Sequence, residues 1–292
     1  MIHATREGRP RPGPGLPGPA AAPTARVPAT GPEGREAWRS LPEETPVALV
    51  YNGGTQAVMM ATPADLEDFA RGFTLTEGIA GPEALPEVEV VSHDGGIEAR
   101  MWLPAEASSR LLARRRASVG PVGCGLCGID SLAEAVRPLP TLPPGGIMLA
   151  PADLRSALDD LRGRQPLHDE TRAVHAAGFW QPGRGILVAR EDVGRHNALD
   201  KLVGALVRMG VDPASGAIAL TSRMSVEMVQ KCVMAGARVA VAVSAPTAHA
   251  VRIADAAGLT LASAARGEVL VFAHEERIGH PPRRDRRGDH AA

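Results

Sequence analysis

Two short runs that are apolar almost throughout, Pro46-Val-Ala-Leu-Val-Tyr-Asn52 and Gln56-Ala-Val-Met-Met-Ala-Thr62, flank Asn52-Gly53-Gly54, and the arrangement is a hairpin signal. A helical spacing comes next. Leu66, Phe69, Ala70 and Phe73 form one helical stripe that ends before Gly78, with Thr62 as its cap and Pro63 suited to its first position. A second hairpin follows, with Val88 to Val91 and Ile97 to Trp102 around Asp94-Gly95-Gly96. This part therefore reads β-β-α-β-β, a small α+β unit. An Arg-rich helix is expected from Ala105 to Ala117, then a Gly-Pro break, and a short helix after Gly128 carries Ile129, Leu132, Ala133 and Val136.

Pro138-Leu-Pro-Thr-Leu-Pro-Pro-Gly-Gly146 reads as a linker, and the pattern changes beyond it. A helix from Pro151 to Arg162 carries Leu154, Leu158 and Leu161. Strand Gly185 to Ala189 leads to helix Ala198 to Met209, strand Ala217 to Thr221 to a helix around Cys232, and strand Val239 to Ser244 to helix Thr247 to Ala257. Thr260 to Phe272 supplies one or two final strands. Strands alternating with helices imply an α/β layer with a mostly parallel sheet.

Residues 1–42 are dense in Pro, Gly and Ala without a periodic apolar face and read as a disordered tail. The expected organisation continues with a small α+β domain over 43–118, a cysteine-bearing segment and linker over 119–146, an α/β domain over 147–276, and a basic disordered tail over 277–292. With 44% apolar residues the chain has ample material for packed cores. Its formal net charge of −1 shows no basic surplus, so nucleic acid is not expected as a partner. No apolar run approaches the ~20 residues of a membrane span and the N-terminus has no signal-peptide core, so a cytoplasmic location without membrane association is expected. Three cysteines do not make a secreted disulfide framework.

Candidate chemistry concentrates in two places. Gly123-Cys124-Gly125-Leu126-Cys127-Gly128 presents two thiols among three glycines, whose missing Cβ atoms leave the backbone pliant. A free thiol with pKa ~8.5 is mostly protonated at neutral pH, and a following helix N-terminus, with Arg114, Arg115 and Arg116 upstream, favours thiolate. Cys-x-x-Cys is half of a structural zinc site, but the remaining Cys232 falls on the apolar stripe of its helix and reads as core, so no zinc is expected. A dithiol switch stays open, although the thioredoxin βαβ context is absent.

The second place is the set of strand exits, because open α/β sheets collect ligands outside the carboxyl ends of their strands. Four polar turns leave the strands: Glu191 to Asn197, Ser222-Arg223, Ser244 to Thr247, and Ala265-Arg266-Gly267-Glu268. Backbone N–H groups at helix starts, with Arg195, Arg223 and Arg266 as forked donors, suit an anionic ligand such as phosphate. His196 taken alone reads as a hydrogen-bonded loop histidine.

Gly123-Cys-Gly-Leu-Cys-Gly128, Arg190-Glu-Asp-Val-Gly-Arg-His-Asn-Ala-Leu-Asp-Lys201, Thr221-Ser-Arg-Met-Ser-Val-Glu-Met-Val-Gln-Lys231 and Ser244-Ala-Pro-Thr247 closely resemble the FdhD family of sulfur carriers required for formate dehydrogenase activity. The resemblance covers about residues 44 to 275. It implies an α/β fold with a cytidine-deaminase-like larger domain and a smaller N-terminal α+β domain. It further implies a sulfurtransferase that takes persulfide sulfur from a cysteine desulfurase and passes it to the molybdenum (or tungsten) bis(molybdopterin guanine dinucleotide) cofactor before that cofactor enters formate dehydrogenase. By the same resemblance Cys124 carries the persulfide and Cys127 supports it or relays sulfur. The guanine dinucleotide site maps onto Ala264, Ala265, Arg266, Gly267 and Glu268, with Arg195, His196, Arg223 and Ser244 as further cofactor-binding candidates. A homodimer is left open.

Two departures from the family pattern stand out. Ala264 occupies a position where relatives carry an aromatic residue. Arg172 and Ala173 stand where relatives tend to show two glycines, which implies a different backbone at that strand start. The same stretch argues against deamination, which needs His-x-Glu, whereas position 177 is alanine. A cofactor-binding chaperone without sulfur chemistry and a dithiol oxidoreductase are the alternative readings.

Overall fold

The computed structural model describes residues 22–109, 111, 138–265 and 268–279. Strands β3 (Thr45–Tyr51) and β4 (Gly54–Ala61) form the first expected hairpin, and β5 (Val88–His93) and β6 (Gly96–Met101) the second. They join into one sheet of order β4-β3-β6-β5 through a parallel β3–β6 pairing. Helix α1 (Leu66–Thr76) packs on it, burying Phe69, Ala70 and Phe73 against Val47, Leu49 and Ala99. The helix starts at Leu66, not at the expected Pro63, because Asp65 enters it in a left-handed conformation (φ 53°). Thr62 does not cap α1 and instead bonds across to the second half of the chain, as described below.

The larger sheet has the order β12-β11-β10-β9-β7-β8, built from β7 (His175–Gln181), β8 (Gly185–Asp192), β9 (Ala217–Leu220), β10 (Val239–Ala242), β11 (Thr260–Ala265) and β12 (Glu268–Ala273). It is mixed and not mostly parallel. Only β9–β10 and β10–β11 pair in parallel; β7 runs against both β8 and β9, and β12 against β11. Strands β8 to β11 nevertheless all point the same way, so their exits share one edge. Helix α2 (Pro151–Arg162) covers one face with Leu154, Leu158 and Leu161. Helices α4 (Arg195–Met209), α5 (Val226–Met234) and α6 (Ala248–Ala257) cover the other, and Cys232 is fully buried among them. A short helix α3 (Pro166–Thr171) ends at Arg172, whose φ of 60° takes the left-handed conformation that glycine adopts without strain.

Two segments differ from expectation at the edges of the fold. Residues read as a disordered tail contain an antiparallel ribbon, β1 (Thr24–Thr30) with β2 (Glu36–Pro42), in which Arg26 stacks on the exposed Trp38. At the other end Arg277, read as the start of a basic tail, is buried. Its guanidinium donates to the carbonyls of Gly145 and Gly258 and to Thr260, tying the 138–146 linker to the sheet. Among the described residues no helix is long and apolar enough to cross a membrane.

Helices α1 and α4 cross with backbone touching backbone. A Cβ at Gly72 would lie 1.7 Å from the Asp200 carbonyl oxygen, and one at Gly204 would lie 1.9 Å from that of Asp68. Asp68 also receives Arg190 and Arg208, whose combined charge outweighs partial burial and lowers its pKa. The small and large sheets are therefore fastened through this crossing.

Candidate functional site

The segment expected to do the sulfur chemistry, with Cys124 and Cys127, lies outside the described residues, as do Arg266 and Gly267 and the side chain of Ala265. Its flanks are placed. Leu111 is buried in the small core, and Leu139 and Leu142 lie in or against the large one.

The run Arg190 to Lys201 divides into two functions. Asp192 is fully buried and pairs with the equally buried Lys201 at 2.6 Å. Its carboxylate also accepts from the Thr62 and Gly194 backbone N–H groups, while Lys201 donates to the Thr62 carbonyl and Asn197 to the Met60 carbonyl. Thr62 completes the joint by accepting from the Val193 N–H. Asp200 holds Lys231 with Thr76 and Glu77. Burial opposes charge on Lys231, and the Asp200 and Glu77 carboxylates overcome it, raising its pKa. Asp192, Asn197, Asp200 and Lys201 are thus a clasp between the two halves that fixes the start of α4. Because removing one member of a buried pair leaves the other charge uncompensated, Asp192→Asn should lower unfolding free energy by about 3–5 kcal/mol in urea titrations. The double change Asp192→Asn with Lys201→Met should cost less than Asp192→Asn alone.

Arg195 and His196 remain at the edge, in the first turn of α4. His196 Nε2 is buried without a hydrogen-bond partner among the described residues and stands 4.0 Å from a Glu227 carboxylate oxygen at the start of α5. Burial, reinforced by the Arg195 and Lys231 cations, pushes its pKa down to about 4. His175, opening β7 beside Asp192, is also lowered, first by burial and then by Arg195. Both imidazoles are neutral near pH 7, so positive potential at this edge comes from arginine and the starts of α4, α5 and α6. The sign for stability follows. The unfolded histidine protonates below its ordinary 6.5 while the folded one resists until about 4, so its contribution is full above 6.5 and is lost as pH falls through that window. Wild type should therefore lose stability relative to His196→Gln on going from pH 7 to pH 4, as read by urea midpoints.

Arg223 is exposed and Ser244 half-buried at the neighbouring exits, and Glu268 opens β12 at the surface. The exits touch one another: the Val243 N–H donates to Leu220 and the Thr247 N–H to Met224. Ala264 lies elsewhere on the same edge, on the α2 face. There it lines a cleft of about 420 Å³ with Arg155, Leu158, Asp159, Arg162 and Val243. Sequence reasoning used α2 only for its leucine stripe; the spacing of Arg155, Asp159 and Arg162 as i, i+4, i+7 is the signal that could have found this second face. His175 and Glu227 were missed too, since their place beside Arg195 and His196 comes from strand order and helix packing.

The FdhD/NarQ family model matches residues 42–279. The sulfur carrier protein FdhD of Agrobacterium fabrum (strain C58) is 50% identical over 254 residues, covering 86% of this chain and 92% of that protein. Its counterpart from Brucella abortus biovar 1 is 51% identical over 246 residues, covering 84% and 91%. A crystal structure from Desulfotalea psychrophila, assigned as a formate dehydrogenase accessory protein, superposes with a TM-score of 0.66 at 25% identity, covering 90% of this chain and all of that one. On this evidence the chain belongs to the FdhD/NarQ family.

Proposed function

We propose that this protein is a sulfur carrier in formate dehydrogenase maturation. It takes persulfide sulfur from a cysteine desulfurase on Cys124 and delivers it to a molybdenum or tungsten bis(molybdopterin guanine dinucleotide) substrate. The observation that carries this reading is the 50% identity, over most of the chain, to proteins named as sulfur carriers, in a sequence that holds Cys124-Gly125-Leu126-Cys127.

In the first step the Cys124 thiolate attacks the outer sulfur of the donor persulfide. The S–S bond of the donor breaks, its cysteine departs as thiolate, and Cys124 holds the new persulfide. No oxidant is consumed, since the sulfur arrives already at the sulfane level. In the second step the outer sulfur leaves for the reduced metal centre of the substrate, which supplies two electrons to make sulfide, and the Cys124 thiolate returns. Arg195, Arg223 and Arg266 with the starts of α4, α5 and α6 bind the substrate's phosphates, and the 264–268 turn holds a nucleotide end. His196, held neutral by its burial and the neighbouring cations, adds no charge there.

Intact mass spectrometry after incubation with a cysteine desulfurase and cysteine tests the reading. One added sulfur, mapped to Cys124 and lost on addition of thiol reductant, is expected. A protein that gains no sulfur from any desulfurase of its own cell would end the reading.

A further inference from the structure

Resting on the sulfur-carrier reading above, we propose that the open face of the small sheet docks the sulfur-donating protein, which meets it with a basic surface around an apolar centre.

The register of β3 to β6 sorts that sheet into two faces. Val47, Leu49 and Ala99 point at α1, whereas Val58, opposite Ala48, and Met60, opposite Pro46, point the other way. Among the described residues this second face is open: Val58, Met60 and Trp102 are 60%, 46% and 59% exposed. Beside Trp102 lies a hollow of about 310 Å³ lined by Val50, Thr55, Glu98 and Arg100, with room for an anchoring side chain from a partner. Apolar side chains gathered at a surface and rimmed by polar ones mark a protein contact.

Charge identifies the partner. Residues 22–109 hold fourteen Asp and Glu against five Arg and no Lys, although the whole chain is nearly neutral. Asp68 and Glu77 are neutralised at the joint by Arg190, Arg208 and Lys231. Glu87, Glu89 and Asp94, at the β5 side of the open face, have no partner among the described residues. Such a surface repels the phosphates of the substrate and attracts a basic protein. The enzyme that receives the cofactor collects it from the arginine edge of the large sheet, so the acidic face is left to the donor, whose target is Cys124. The chain towards Cys124 also starts here. The Leu103 N–H and the Ser108 hydroxyl are tied to Asn52 in the β3–β4 turn, and Leu111 is anchored in the small core. Cys124 follows Leu111 by 13 positions, at most roughly 45 Å of extended chain, which brings the rim of the face within its reach. Size argues against a permanent occupant. Four strands of six to eight residues project roughly 450 Å², below the ~800 Å² per partner of a stable complex. That suits a donor that docks and leaves, and not a lasting second copy.

The test compares two ways of loading Cys124 in the full-length protein: a cysteine desulfurase of the same cell with cysteine, and glutathione persulfide, which needs no docking. Val58→Lys with Trp102→Lys, and separately Glu87→Gln with Glu89→Gln, alter exposed side chains. The first pair should raise the desulfurase concentration needed for half-maximal loading about tenfold or more, and the second severalfold. Loading by glutathione persulfide should keep its wild-type rate in both, while direct titration should show weaker desulfurase binding that added salt weakens further. Variants that keep the wild-type dependence on desulfurase overturn the proposal. So does a change confined to the sedimentation of the free protein, which would assign the face to a second copy or to the chain's own terminal residues. The two readings fail separately. Desulfurase loading indifferent to the face refutes the docking site alone, whereas face-dependent desulfurase binding without any gain of sulfur refutes sulfur transfer and leaves the docking site standing.

Discussion

Cys124→Ala should abolish sulfur loading and with it the ability to restore formate dehydrogenase in a strain lacking this protein, while the folded state and guanine nucleotide affinity stay as in wild type. The expectation is severe because a carrier has no partial substitute for the atom that bonds to the sulfur. Without a thiolate, donor persulfide has nothing to attack it, and loading should drop to the mass-spectrometric background. Cys127→Ala should load sulfur but deliver it less well, because a supporting thiol acts after the persulfide exists. The two variants also separate the alternatives. A dithiol oxidoreductase would lose activity equally in both, and a cofactor chaperone would keep formate dehydrogenase active in Cys124→Ala. Labelled sulfur followed from desulfurase to formate dehydrogenase is the decisive measurement, and Cys124→Ala that still transfers label would sink the assignment.

Gly204→Ala should destabilise the protein by at least about 3 kcal/mol, more than ordinary overpacking. The added methyl meets the Asp68 carbonyl oxygen at 1.9 Å and its carbon at 2.6 Å, so no side chain can swing aside and the α1 backbone itself must retreat. That retreat pulls Asp68 from Arg190 and Arg208, and carries Thr76 and Glu77 away from Asp200 and Lys231. Gly72→Ala acts from the other side of the same crossing and should do comparable damage. Gly81→Ala is the control, since its Cβ would meet nothing within 4 Å and its φ is ordinary. Urea unfolding of the three variants tests the argument, and a Gly204→Ala midpoint equal to that of Gly81→Ala would refute it.

The elements most legible in the sequence are those whose pattern is local. The hairpins around Asn52-Gly53-Gly54 and Asp94-Gly95-Gly96 carry their own turns, and α2 spans Pro151–Arg162 as its leucine spacing and initial proline require. Cys232 was legible as core from its neighbours on one stripe. The β1–β2 ribbon was not, because neither face is buried enough to demand apolar alternation, and Pro, Gly and Ala then look like disorder. Strand β7 entered only as a strand start implied by the family resemblance, not from its own pattern, and the antiparallel interruption of the sheet escaped with it; pairing direction is not written in a strand's own residues. At the site, the run Arg190 to Lys201 looked like a single ligand-binding motif. Only the distant partners of Asp192, Asn197, Asp200 and Lys201, which lie 31 to 139 residues away, reveal that half of it fastens the large sheet's layer to the small one. Arg195 and His196 sit at the edge because those neighbours are pinned.

The helix crossing also governs the order in which a newly made chain can mature. Asp68 waits for Arg190 and Arg208, which follow it by 122 and 140 positions, and the α1 surface stays uncovered until α4 has been synthesised. By then both Cys124 and Cys127 have long since left the ribosome. Pairings so distant in the chain form slowly. On the function proposed above, a nascent molecule therefore carries both cysteines before the edge with Arg195 and His196 has been assembled, and competence for delivery would arrive only with the last third of the polypeptide.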